Sequence, residues 1–352
     1  MHYYLYPIKI AAITFPIIAA LITFPYFLIN YHKYGSVSKL RILIVYTFIL
    51  YLMCSYFLII LPLPSRSAVA KMSVAKFQLY PFAFITDFIK TSGFNIHNIN
   101  TYLTALKSSS VYQPIFNIIL TIPFGIYLHY YFNCSLKKTA LLSFLLSLFF
   151  ELTQLTGLYF IYPSNYRTFD VDDLFFNTLG GILGYLLFNP FLKLLPSREE
   201  IDNRAYEEGK KVSNLRRIFS FITDLFLLII ISVPIYTLFS IKDNFLTISI
   251  FPFVYFVIIP NLFHGQTFGK KITQLIIVDE NSKYSLKVFY RYLLFYLLFM
   301  IIPILIKIYN LNFLAIFYLI YLFVTFIKFM KHKPLWYERV TNTKNISIFE
   351  KM

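Results

Sequence analysis

Charge is scarce in this chain. Asp, Glu, Lys and Arg make up 14% of its 352 residues, against roughly 25% in a soluble domain. Acid is scarcer still, with 16 Asp and Glu against 32 Lys and Arg, a net charge of +16. That shortage excludes a water-soluble globule of this length. The chain is 58% apolar and 20% aromatic, and too little polar surface remains to cover such a core. Cysteine is nearly absent. Cys54 and Cys134 fall inside or at the end of apolar runs, so no disulfide framework is expected and both read as small buried hydrophobes. There is no phosphate-cradling G-x-x-x-x-G-K-[ST], no zinc-ligand motif and no nucleophile elbow; Gly265–Lys271 has glycines and lysines at the wrong spacing. No cofactor or metal site is expected. Nor does the positive charge point to nucleic acid, because the basic residues sit between apolar runs and form no stripe on a polar face.

Long apolar runs are what the sequence does have, and its mean hydropathy is +0.66. A membrane-crossing helix needs about 20 mostly apolar residues. Nine segments meet or approach that length: Pro7–Asn30, Ile42–Leu63, Val111–Phe132, Thr139–Phe160, Asp173–Leu195, Ile218–Ser240, Ile248–Phe263, Arg291–Tyr309 and Asn312–Met330. The seventh is the shortest. The first lacks a basic leader and a small-residue cleavage site, so it reads as a span rather than a signal peptide. The expected fold is an all-α polytopic integral membrane protein embedded in the lipid bilayer. With the N-terminus outside and the C-terminus in the cytoplasm, the inner segments hold 21 of the 32 Lys and Arg, as the positive-inside rule requires. The strongly polar stretch Pro196–Arg217 divides a five-helix front from a four-helix rear. The domain reading is 1–195, a linker at 196–214, and 215–352. No repeat relates the halves, so an inverted-repeat transporter is not supported. In the outer loop, Gln78–Phe94 is too short to span and reads as an interfacial amphipathic segment.

Ionisable residues inside spans are costly, about 2.5–3.5 kcal/mol each at the membrane centre, and mark functional candidates. Glu151 lies in the fourth segment with Gln154 on the same helical face. If that helix ends near Phe160, Glu151 sits roughly 14 Å below the outer surface. The following loop carries Arg167, Asp170, Asp172 and Asp173. The fifth segment then presents Asp173, Asn177, Gly180 or Gly181, and Gly184 along one stripe. Gly180 and Gly184 form a small-residue pair that lets another helix approach closely. Together these residues predict a polar pocket open to the outer leaflet. Three readings remain: a structural network in which Arg167 pairs an aspartate, a ligand site for a headgroup or glycan, and a cation or proton site.

The run E-L-T-Q…R-x-x-D-x-x-D-x-x-x-N-x-x-G-G-x-x-G, from Glu151 to Gly184, resembles the signature of the VanZ-like family. So does Asn117–Gly125 on the third segment. The resemblance implies a bacterial cell-membrane protein associated with low-level teicoplanin resistance. It carries over Glu151, Gln154, Arg167, Asp170, Asp173 and Asn177 as candidate ligand-binding positions.

In the rear half, Asp224 lies two turns into the sixth segment on the face of Arg217, and Arg217 or Arg291 is the expected partner of its carboxylate. The loop His264–Arg291 carries Gln266 and Lys270, and its ITQLIIVD run has strand-like content. The run R-R-I-F-S-F-I-T-D, the loop G-Q-T-F-G-K and Arg291 resemble the RDD family. Glu338 stands where that family has an acid, and the family's neighbouring His is absent. The resemblance implies an RDD-like rear module; the family is mostly of unknown function, and an ion-antiport activity has been ascribed to some of its members. Arg217, Asp224, Gln266, Lys270, Arg291 and Glu338 are thus structural or ion-relay candidates.

The leading expectation is an outward pocket that binds a lipid-linked wall precursor or a glycopeptide and reduces drug action, without catalysis. An ion-coupled transporter centred on Asp224 is the second. A membrane enzyme acting on wall precursors, with Glu151 as general base, is the third.

Overall fold

The computed structural model describes residues 2–240 and 245–350. Among them, nine helices are long and apolar enough to cross a membrane: Leu5–Tyr34, Lys39–Ile60, Ser109–Tyr130, Leu136–Leu155, Val171–Leu192, Asn214–Leu238, Phe245–Leu262, Leu286–Ile308 and Asn312–Met330. The protein is an all-α polytopic membrane protein. The seventh span, shortest by sequence, covers 18 described residues and continues through a π-helical stretch at Val254–Ile258.

Local chemistry sets the helix ends. Ser135 begins the fourth span by accepting the Lys138 amide, Asp170 begins the fifth by accepting that of Asp172, and Ser213 begins the sixth by accepting that of Arg216. Each satisfies a backbone donor that the first helical turn leaves free. The fourth span stops at Leu155, not near Phe160, because Gly157 takes φ +59°, the left-handed conformation that ends helices. Glu151 is therefore only about 6 Å of helical rise from the end of its helix, not the 14 Å expected.

The chain forms two compact units. The front unit comprises residues 1–20 and 39–201, and the rear unit 21–38 and 202–352. In the front unit the third, fourth and fifth spans pack side by side through small residues. Gly125 of the third span abuts the Gly181 backbone, Gly180 and Gly184 abut the Ile118 and Ile122 carbonyls, and Gly181 also meets Ser143. Cys134 is buried with Phe124 and Leu128, and Cys54 is half-buried; both thiols are free. Ahead of the third span, Gln78–Phe94 contains a short helix, Ala83–Thr91, with Ile85 and Ile89 exposed. Strand β1 (Phe77–Gln78) pairs in parallel with β2 (Phe169–Asp170).

In the rear unit, β3 (Leu275–Asp279) pairs antiparallel with β4 (Thr343–Ser347), so the ITQLIIVD run does contain a strand. The polar stretch after Pro196 holds a helix, Arg198–Gly209.

Candidate functional site

A polar cavity of about 540 Å³ opens in the front unit. Glu151, Gln154, Arg167, Asp170, Asp173 and Asn177 all line it, joined by Gln113 and Asn117 from the third span. The helix geometry explains the convergence. Thr139, Ser143, Ser147 and Glu151 recur every fourth residue on the fourth span, and all four are buried against its neighbours. Such a stripe stays on one face.

Each side chain is held from several directions. Glu151 Oε2 accepts the Asp170 amide at 2.9 Å. Asp173 Oδ1 accepts Asn117 Nδ2 at 2.5 Å. Asn177 donates to Ser147 Oγ at 2.9 Å, and that hydroxyl donates to the Asp173 carbonyl at 3.1 Å. Asn177 Oδ1 is buried and has no partner among the described residues. Asp170 caps the fifth span, and burial raises its carboxyl above the usual range, with the Asp172 amide opposing and the Asp172 and Asp87 charges reinforcing the shift.

Arg167 is placed differently from the expected aspartate partnership. Its Nη1 donates to the Ile59 carbonyl at 2.7 Å, where Gln154 Nε2 also donates at 3.4 Å. The guanidinium thus caps the carbonyl end of the second span, the negative pole of a helix. Its other N–H groups remain beside three carboxyl groups, with no salt bridge to a carboxylate among the described residues.

Sequence reasoning named Asp172 only as a loop acid and Asn117 only within the family resemblance, and did not single out Ser147. Asp172 accepts the amides of Phe82 at 2.6 Å and Phe84 at 3.2 Å, fastening the Ala83–Thr91 helix beside the cavity. Asn117 lies in the NIILTIPFG run and Ser147 in the fourth-span stripe, so both carried a readable signal.

Residues 48–195 match the VanZ/LLP1 family model. The VanZ/LLP1 match contains the whole cavity lining, from Leu58 to Asn177. No curated protein and no solved structure matches the chain.

The rear candidates separate into two clusters. Asp224 is not paired with an arginine. It accepts Tyr255 Oη at 2.8 Å, Thr267 Oγ1 at 2.7 Å and the Gly269 amide at 2.6 Å. Arg217 and Arg291 instead donate to Glu338 Oε1 at 2.5 and 2.6 Å, which also accepts Asn345. Glu338 lies close to both because the turn Trp336–Val340 packs beside the eighth span. This leaves Asp224 to organise the GQTFGK loop. Thr267 caps the turn Phe268–Ile272, and Gly269 has no room for a Cβ between the Ser220 carbonyl and Asp224. Gln266 donates to the Leu275 carbonyl at 2.8 Å. Lys270 lies over the Tyr292 ring, 5.4 Å from its centroid. Burial lowers its ammonium to about 8, with Asp224 opposing the shift and Arg291 and Arg217 reinforcing it.

Arg216, not Arg217, is the fully buried arginine. It donates to the carbonyls of Thr273, Gly209 and Gln274 and to Ser347 Oγ. With Ser220, Thr223 and Asp224 it forms the buried polar face of the sixth span, a stripe visible in the sequence at helical spacing.

Proposed function

We propose that the front unit is a binding module of the bacterial cell membrane. Its ligand is a donor-rich envelope molecule, either the glycan of a lipid-linked wall precursor or a glycopeptide antibiotic. By holding it, the protein lowers susceptibility to teicoplanin. One observation carries this reading. Asn177, whose buried Oδ1 has no partner among the described residues, lines a cavity that also holds the three carboxyl groups of Glu151, Asp170 and Asp173. Acceptor walls favour a ligand that presents hydroxyl or amine hydrogens, and leaving such a buried acceptor bare costs about 1–3 kcal/mol. Gln154 and Asn177 orient the ligand, and the free donors of Arg167 meet its phosphate or carboxylate. The N-out orientation, which places the cavity at the outer leaflet, is part of the proposal.

The rear unit, RDD-like by its motifs, is accessory in this reading. The three donors on Asp224 suit a loop anchor better than a relay that must release its proton.

The test compares teicoplanin and vancomycin inhibitory concentrations in a deletion strain complemented with wild type, Glu151→Gln, Asn177→Leu or Asp224→Asn, at matched membrane abundance. Deletion, Glu151→Gln and Asn177→Leu should sensitise to teicoplanin, and Asp224→Asn should not. An unchanged deletion strain removes the proposal.

A further inference from the structure

The rear unit contains a second cavity, of about 230 Å³, which the Asp224 and Glu338 networks do not fill. Its walls are mainly apolar and rich in aromatic rings, with Phe221, Phe256, Phe295, Phe299 and Phe329 among them. Three cations line it. Arg217 lies over Phe329, Arg291 over Tyr337 and Lys270 over Tyr292, at 4.9, 5.8 and 5.4 Å from the ring centroids. Glu338 is shared between the two arginines. The Asp224 oxygens are occupied by Tyr255, Thr267 and Gly269, not by Lys270. Positive charge is therefore in excess at a largely apolar site, even with both carboxylates ionised. A second mark is independent of charge. Ser220, 1% exposed, lines the same cavity, and its hydroxyl has no partner among the described residues.

We propose that this cavity binds a single-chain anionic amphiphile, with its carboxylate or phosphate on Lys270, Arg217 and the Ser220 hydroxyl and its acyl chain among the phenylalanines. Aromatic walls suit an acyl chain, and desolvated cations and a free hydroxyl suit an anionic head. The volume lies below the roughly 300 Å³ at which pockets for drug-sized ligands begin, so one chain enters rather than a whole two-chain lipid. The lowered affinity of Lys270 for its proton agrees with a site that lacks its counter-anion.

The full chain in phosphatidylcholine nanodiscs, with empty discs subtracted, would be titrated with tritiated dodecanoate. We expect one saturable site per chain, displaced by dodecanoate and dodecyl phosphate but not by dodecanol or dodecyltrimethylammonium. Tighter displacement by the phosphate assigns a phospholipid-derived ligand, and tighter displacement by the carboxylate assigns a free fatty acid. Lys270→Gln should weaken binding about ten-fold, with Lys270→Arg restoring most of it. Ser220→Ala, which leaves the fold's hydrogen bonds intact, should weaken it about three-fold. If Lys270→Gln fails to accumulate, Ser220→Ala and the headgroup series decide. Absence of saturable binding, displacement by dodecanol as good as by dodecanoate, or unchanged affinity in folded Lys270→Gln and Ser220→Ala overturns the proposal.

Discussion

Gly125 and Gly181 meet backbone against backbone: a Cβ on Gly125 would fall on the carbonyl oxygen of Gly181. Lipid offers no hydrophobic drive for helices to associate, so close contact and dispersion must supply it. This contact draws the third and fifth spans together and places Asn117 within reach of Asp173. Gly125→Val or Gly181→Ala should destabilise the front unit by about 1–3 kcal/mol, the usual cost of overpacking. Unfolding in mixed micelles of rising SDS content measures it. Wild-type stability in both variants would mean that the spans do not meet this way.

Glu338 is shared by two arginines, and its side chain is 6% exposed, with Arg291 at 4% and Arg217 at 19%. Glu338→Ala strands both cations and should cost about 3–5 kcal/mol. Asp224→Asn should cost less, because the amide oxygen can still accept from Tyr255 and Gly269 while the Thr267 hydroxyl turns to accept from the amide nitrogen. Thermal unfolding of the two variants side by side gives the order. The reverse ranking would return Asp224 to the centre of the rear unit.

Arg216 has no salt bridge to a carboxylate among the described residues and is held by three carbonyls and a hydroxyl. Its planar fork reaches all of them, which an ammonium on a single-headed stem does not match. Arg216→Lys should lower stability by about 2 kcal/mol or more, while Arg217→Lys should have the smaller effect. Proteolysis of β4 and the Arg198–Gly209 helix reports where the structure loosens. Equal tolerance at the two positions would contradict the buried fork.

Lys270 gives the rear unit a pH signature. Its ammonium is lowered from 10.5 to about 8 in the folded protein, so the unfolded chain holds the proton more tightly. Below pH 8 both states are protonated and the folded state carries the full penalty. As pH rises from 8 to 10.5 that penalty is relieved, and stability increases. The difference between wild type and Lys270→Met, measured by chemical unfolding across this range, isolates the effect. A flat difference would place Lys270 in solvent.

The nine spans were legible in the sequence, because a helix in lipid must satisfy its own backbone and announces itself by length and hydropathy alone. The polar residues of the front cavity were legible for a related reason. Ionisable side chains within apolar runs are costly, and helical spacing told which shared a face. What only the tertiary structure decided was partnership. Local spacing joined Asp224 to Arg217, yet Glu338, 121 residues away in sequence, took that arginine, and a tyrosine, a threonine and a backbone amide took the aspartate. Arg167, beside three aspartates in sequence, went to a helix end closed by Ile59, 108 residues earlier. Helix periodicity fixes which face a side chain occupies, but the partner opposite that face comes from another segment, and the way segments pack sets that choice.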